Sequence, residues 1–213
     1  MLSLKNGPSG IYLAKRTFDF LIASLLLVLL LPVFPMIALA IKLGSRGPVF
    51  YTQLRVGHYS NDQAQLFHII KFRTMYQDCE SRSGACWATE NDPRITPVGR
   101  FMRKTRLDEL PQLFNVLKGE MSLIGPRPER PCFYPKLESA IPFFSERTYG
   151  ILPGITGLAQ VSQGYDTCID DVRRKVGFDH SYALALSSFK TWLVMDLLIL
   201  FKTVSVVVMG RGQ

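Results

Sequence analysis

The sequence predicts an α+β protein with an N-terminal segment that enters a membrane. Three observations carry that expectation. An uncharged, leucine-rich run covers Phe20–Ile41, short runs of β-formers follow it, and helical periodicity fills the C-terminal half. The expected division is a membrane segment over residues 1–45 and an interfacial domain over residues 46–213. A chain of 213 residues is long enough for one domain with a substantial core.

The membrane segment comes first. As a helix, its 22 residues reach about 33 Å, enough to cross a bilayer. It is too long for a signal-peptide core, and Lys42 and Gly44 follow it without a small-residue cleavage site. Both flanks are basic, with Lys5, Lys15 and Arg16 before the run and Lys42, Arg46 and Arg55 after it. A simple span cannot keep both flanks on the cytoplasmic side. Pro32 and Pro35 each remove a backbone donor and strain the preceding turn, so a break is expected at one of them. A helix-break-helix that enters and returns satisfies both flanks, and a kinked span is the alternative.

A small β-hairpin is expected next, from Val49–Tyr51 and Leu66–Ile70, with Ser60-Asn61-Asp62 as the turn signal. Lys71 and Arg73 follow, two apart and so on one strand face. Residues 78–93 are polar and read as a loop, with Trp87 as its lone tryptophan. Val98–Arg103 reads as a helix, and Arg103 and Arg106 share a face if that helix persists.

The most informative string is Arg103-Lys104-Thr105-Arg106-Leu107-Asp108-Glu109-Leu110-Pro111-Gln112. Pro111 suits a first helical turn, and Leu110, Leu113, Phe114 and Leu117 carry helical spacing, so a helix should start near Asp108. That start would place two carboxylates and several cations at the positive end of a helix dipole, where phosphate also binds. An acidic first turn is common on its own, and the surrounding cations are what make this one a candidate site.

Downstream, prolines 126, 128, 131, 135 and 142 forbid a long helix before Lys136 and hold Arg127 in extended backbone. A planar guanidinium on a stiff backbone suits a fixed phosphate contact. Arg173-Arg174-Lys175 reads as a cationic patch beside Phe178 and Tyr182. The apolar stretch Trp192–Met209 carries Asp196 and Lys202, which disfavours a free span and favours an amphipathic helix in the interface or under the domain.

Four strings in order complete the picture: Lys71-Phe72-Arg73-Thr74-Met75, the Asp108-Glu109 string, Gly119-Glu120-Met121-Ser122-Leu123-Ile124-Gly125-Pro126-Arg127-Pro128, and Pro153-Gly154-Ile155-Thr156-Gly157-Leu158-Ala159-Gln160-Val161. Together they resemble the bacterial sugar transferase family, the monotopic phosphoglycosyl transferases, from about Lys15 to about Val204. The family moves a phospho-sugar from a UDP-sugar to polyprenyl (undecaprenyl) phosphate and releases UMP. This is the first membrane step of glycoconjugate or exopolysaccharide assembly.

The resemblance implies Asp108 as nucleophile and Glu109 as its partner and Mg²⁺ ligand, with Asp179 a weaker second metal candidate. It makes Lys71, Arg73, Arg103 and Arg127 phosphate contacts. It also implies a re-entrant membrane segment, amphipathic helices around the active site, and a place on the cytoplasmic face of the bacterial inner membrane. Membrane lipid is then a partner, and a homodimer stays open. In the family the hairpin connection is usually shorter, so residues 58–65 look like an insertion, and the break often follows a serine, whereas Leu31 precedes Pro32 here.

Other classes fit less well. The net charge of +8 and pI near 9.5 favour acidic partners. No helix-turn-helix, zinc-finger spacing or basic arm supports nucleic acid. Cys79, Cys86, Cys132 and Cys168 form no CxxC pair and read as free thiols, and His58 and His68 have no partner at metal spacing. An inactive relative serving as a scaffold is the alternative, disfavoured by the intact Asp108, Glu109 and Arg127.

Overall fold

Two apolar helices open the chain in a computed structural model that describes residues 9–60, 63–77, 79, 84, 92–163 and 168–209. Helix α1 runs Ser9–Leu30 and α2 runs Val33–Gly44, bent by 63°. Leu31 N–H still reaches Leu27 O at 2.8 Å, but Pro32 has no N–H to offer and becomes the N-cap of α2. Phe34 N–H bonds Leu31 O at 3.2 Å, so backbone alone bridges the bend and no serine is needed. Pro35 lies in the first turn of α2, where a missing donor is tolerated. Of the two candidate prolines, the bend therefore falls at Pro32.

The hairpin is longer than expected. Strand β1, Phe50–Ser60, pairs antiparallel with β2, Gln63–Phe72, in a register running from Phe50↔Phe72 to Val56↔Leu66, with an irregularity between Val56 and Tyr59. Residues expected as an inserted loop are thus mostly strand. Gly57 and the polar Gln63 and Gln65 hid it, because the outer part of the hairpin is solvated and needs no apolar alternation. Asn61, Asp62, Trp87 and Cys86 lie outside the described residues. Cys79, Cys132 and Cys168 form no disulfide among the described residues.

Helix α3, Pro97–Lys104, is capped by Thr96, whose Oγ1 accepts the Gly99 N–H at 2.9 Å. Gly99 is required there: a Cβ would stand 2.0 Å from Thr74 O. The helix stops before Arg106, which adopts φ 59°, so Arg103 and Arg106 do not share a helical face. A 3₁₀ turn, Leu107–Glu109, then leads into α4, Gln112–Lys118, which ends at Gly119 with φ 85°. The acidic pair therefore sits in the turn before the helix rather than in its first turn.

Strands β3 (Ser122–Ile124) and β4 (Gly154–Thr156) form a two-stranded parallel pair. Gly125 and Gly154 allow this approach, since a Cβ on Gly154 would meet Gly125 N at 2.1 Å. Helices α5 (Tyr134–Ala140), α6 (Leu158–Ser162), α7 (Ile169–Ala185) and α8 (Phe189–Val208) complete the mixed α+β fold.

Helices α1 and α2 share one core with the rest of the chain. Ala23 of α1 packs with Phe67 and Ile69 of β2, Leu113 and Val116 of α4, Tyr182 of α7 and Ile199 of α8. Ile37 and Ile41 of α2 pack with Phe72 and Met102. Polar ties reinforce the first contact. Arg16 donates to the terminal carbonyls of α4, Val116 O at 2.6 Å and Leu117 O at 3.0 Å, which suits the negative end of a helix. Asp19 accepts from Ser122 Oγ at 2.7 Å and Leu123 N–H at 3.1 Å. Lys15 reaches Asp196 of α8 at 3.0 Å, and Asp196 also accepts from Tyr182 at 2.8 Å and Trp192 at 2.7 Å. Asp196 is therefore a buried, fully bonded carboxylate.

The expected cationic patch on α7 is absent. Lys175 is buried on Glu129 at 2.6 Å, while Arg173 and Arg174 pair with Asp170 and Asp171 one turn back.

Candidate active site

The site forms where β2 meets the turn before α4, and Asn115 sets that meeting. Its Oδ1 accepts the Ile70 N–H at 3.1 Å, and its Nδ2 donates to His68 O at 2.8 Å and Glu120 at 2.7 Å. A fully buried amide thus docks α4 on the strand edge beside Lys71. Lys71 Nζ then stands 2.9 Å from Glu109 Oε1.

Glu109 collects most of the cations. Arg127 approaches its Oε1 at 2.6 Å and its Oε2 at 3.4 Å, and Arg106 lies 3.9 Å from Oε1. Burial alone would push the Glu109 carboxyl up, but Arg127, Lys71 and Arg106 together hold it well below the usual range. Burial also lowers the Lys71 ammonium to about 8, against the pull of Glu109.

Asp108 is the opposite case. It is buried, and its Oδ1 has no hydrogen-bond partner. Burial and the neighbouring Glu109 push its carboxyl up to about 6, against Lys71, Arg103 and Arg127. The expected helix-dipole stabilisation does not decide its titration. Arg103 comes near it with an Nη1 that is buried and partnerless. Four cations thus surround two carboxylates, an excess of positive charge suited to a diphosphate.

Two expected contacts lie elsewhere. Arg73 is spent on the C-terminal end of α2, donating to Ser45 O at 2.8 Å and to Arg46 O, so it anchors that helix instead of joining Lys71. Asp179 is buried against Arg147, which in turn donates to Arg127 O at 2.6 Å. Its carboxylate neutralises that arginine behind the site and does not reach the acidic pair as a metal ligand.

Sequence reasoning missed this supporting layer. Arg147, Glu129 and Lys175 are all largely buried, and Arg55 donates to Pro128 O at 3.0 Å. Only tertiary structure turns these charges inward.

No group of three His, Cys, Asp or Glu side chains among the described residues could hold a metal. Mg²⁺ does not need one when it shares a site with phosphates. The donors present fit such a shared ion: Glu109 Oε2 has only the 3.4 Å contact, and Asp108 Oδ1 is free.

Comparison with known proteins places this arrangement. The family model described as bacterial sugar transferase matches residues 11–210. The chain belongs to that family. One relative is the UDP-N-acetylgalactosamine-undecaprenyl-phosphate N-acetylgalactosaminephosphotransferase of Aeromonas hydrophila. It is 46% identical over 96% of this chain and 46% of its own length. The undecaprenyl-phosphate glucose phosphotransferase of Komagataeibacter xylinus is 43% identical over 94% of this chain and 37% of its own. The chain thus spans less than half the length of these two relatives. The exopolysaccharide production protein ExoY of Rhizobium meliloti is 38% identical over 94% of this chain and 88% of its own.

Proposed function

We propose that this bacterial sugar transferase moves a phospho-sugar from a UDP-sugar to undecaprenyl phosphate and releases UMP. The observation that carries the reading is Asp108: a buried carboxylate with an unpartnered oxygen, inside a ring of cations otherwise organised on Glu109. Relatives named for undecaprenyl-phosphate phosphotransfer support it. ExoY, named for exopolysaccharide production, suggests the first membrane step of such a polymer.

In this mechanism an oxygen of Asp108 attacks the sugar-linked phosphorus. The bond to the UMP oxygen breaks, and UMP leaves with the electron pair. A phosphate oxygen of undecaprenyl phosphate then attacks the same phosphorus and returns Asp108 to its carboxylate. Splitting the transfer lets two anionic substrates use one site in turn. Lys71, Arg103 and Arg127 hold the diphosphate and offset charge as it shifts to the leaving oxygen. Glu109 aligns Lys71 and Arg127 and would hold Mg²⁺ through Oε2. When bound, Mg²⁺ would neutralise phosphate oxygens.

The reaction would occur at the cytoplasmic face of the inner membrane. Both ends of the bent pair dock on one folded body: Lys15, Arg16 and Asp19 at the start, Ile41, Ser45 and Arg46 at the finish. A segment fixed at both ends to one body enters and leaves through the same face, which supports the re-entrant reading. Helix α8 is long and apolar enough to cross a membrane. Yet it is tied along its length to the body through Trp192, Asp196 and the Thr203–Thr156 contact of 2.8 Å. Its exposed face holds Val194, Leu197, Phe201, Val204 and Val208, which suits lipid contact in the interface.

The test is a panel of UDP-sugars with undecaprenyl phosphate and Mg²⁺. One or a few donors should release UMP and give a lipid-linked diphosphate sugar. Release of UDP instead, or no release from any donor, would overturn the proposal.

A further inference from the structure

The 3₁₀ turn and α4 hold one more polar group that the chemistry above leaves unused. Gln112 is fully buried, and neither its amide nitrogen nor its amide oxygen has a hydrogen-bond partner. An orphaned buried polar group costs about 1–3 kcal/mol. A native fold that retains such a cost has a reason for it: strain, an ordered water or ion, or a role at a functional site.

Its position says which ligand. Leu110 (φ −53°, ψ −37°) and Pro111 (φ −64°, ψ −15°) are both helical, so the winding from the 3₁₀ turn into α4 is continuous. Gln112 thus follows Asp108 by about one turn and shares its face. Asp108 Oδ1 and Arg103 Nη1 are orphaned as well, and Arg103 acts electrostatically on Asp108. A group bound between Arg103 and Gln112 would take donors from both while facing the Asp108 oxygen. A phosphoryl group has those acceptors.

We infer that Gln112 is a substrate-binding residue whose amide nitrogen donates to the phosphoryl group facing Asp108. This rests on the phosphotransferase reading and adds to it a neutral donor that no charge pattern would mark. Arg103 supplies charge to the phosphoryl oxygens, whereas Gln112 fixes their orientation without drawing Asp108 into an ion pair.

The test compares wild type with Gln112→Met and Gln112→Glu, using Mg²⁺ and UDP as the probe and thermal unfolding as the readout. Met matches the volume and removes both orphaned atoms. Free of ligand, Gln112→Met should unfold at the wild-type temperature or higher, because no bond is lost. Its UDP affinity, read from the ligand-induced rise in Tm, should fall about tenfold or more. Gln112→Glu replaces the donor with an acceptor and should bind UDP no better than the Met variant. A Gln112→Met protein that binds UDP like wild type overturns the inference alone, and water then fills the space. A Gln112→Met protein that unfolds at lower temperature without ligand overturns it by showing a structural role. Gln112→Glu with wild-type affinity overturns the donor assignment. A wild type that gains no stability from UDP overturns both this inference and the phosphotransferase reading.

Discussion

Asp108 and Glu109 are chemically almost identical and adjacent, yet their surroundings divide them. Glu109 holds short bonds to Lys71 and Arg127, while Asp108 keeps a bare oxygen. The sequence showed that two carboxylates and several cations were close, but it could not assign which cation served which acid. Arg73 illustrates why. Alternation along a strand put it beside Lys71, but the strand ends at Phe72, and the guanidinium turned to carbonyls at the end of α2. The buried pair Glu129–Lys175 was invisible for the same reason, and it makes a residue-scale prediction. Burial would raise the Glu129 carboxyl, but Lys175, Arg147 and Arg55 together lower it from 4.5 to about 2. A depressed carboxyl stabilises the fold above its unfolded pKa and loses that stabilisation as pH falls through the folded one. The contribution, about 3 kcal/mol, should therefore be intact above pH 4.5 and fade toward pH 2. Glu129→Gln should lower the Tm at pH 6 and make the decline between those two values shallower. Equal slopes in both proteins would remove Glu129 from the acid sensitivity.

At the scale of elements, the helices were legible and the sheet edges were not. Helix α3 matched its periodicity because it buries one face. The apolar residues of α4 pack as their spacing implied, but Gln112 and Asn115 are buried as well. The hairpin outgrew its expected strands because its outer part is solvated. The turn at Leu107–Glu109 could not be foreseen as 3₁₀, since it depends on Arg106 at φ 59°. Asn115 is the joint between these elements, with three bonds to β2 and Glu120. Asn115→Leu keeps the volume but orphans the Ile70 N–H and the His68 carbonyl. It should destabilise the protein by about 2–4 kcal/mol. Because α4 carries the site turn, activity should fall even below the unfolding temperature. Unchanged stability in a thermal scan would mean that the apolar contacts of Leu113 and Val116 suffice to dock α4.

At the scale of the molecule, the apolar helices α1 and α2 and the rest of the chain share one core. Of the basic flanks that suggested topology, Lys15, Arg16 and Arg55 are bonded into the body, whereas Lys42 and Arg46 are exposed. That arrangement predicts a one-sided molecule. A cysteine at the exposed Gly10, where a side chain meets nothing within 4 Å, and one at Ser187 before α8 should behave alike. Neither should react with a membrane-impermeant maleimide added to intact spheroplasts, and both should react after lysis. Labelling of Gly10→Cys alone from outside would make α1 and α2 a true span and contradict the re-entrant reading.

The central claim is that Asp108 becomes covalently bonded to the transferred phosphate. Incubation of the purified enzyme with its UDP-sugar and Mg²⁺, without undecaprenyl phosphate, followed by mass spectrometry of the peptide containing residue 108, tests it directly. Wild type should carry the mass of one sugar phosphate on that peptide and release a matching amount of UMP. Asp108→Asn should carry none, and its turnover should fall by several orders of magnitude, on the order of 10⁴ or more. An Asp108→Asn enzyme that turns over at a near-normal rate, or a wild type that turns over with no adduct under any quench, would contradict the account.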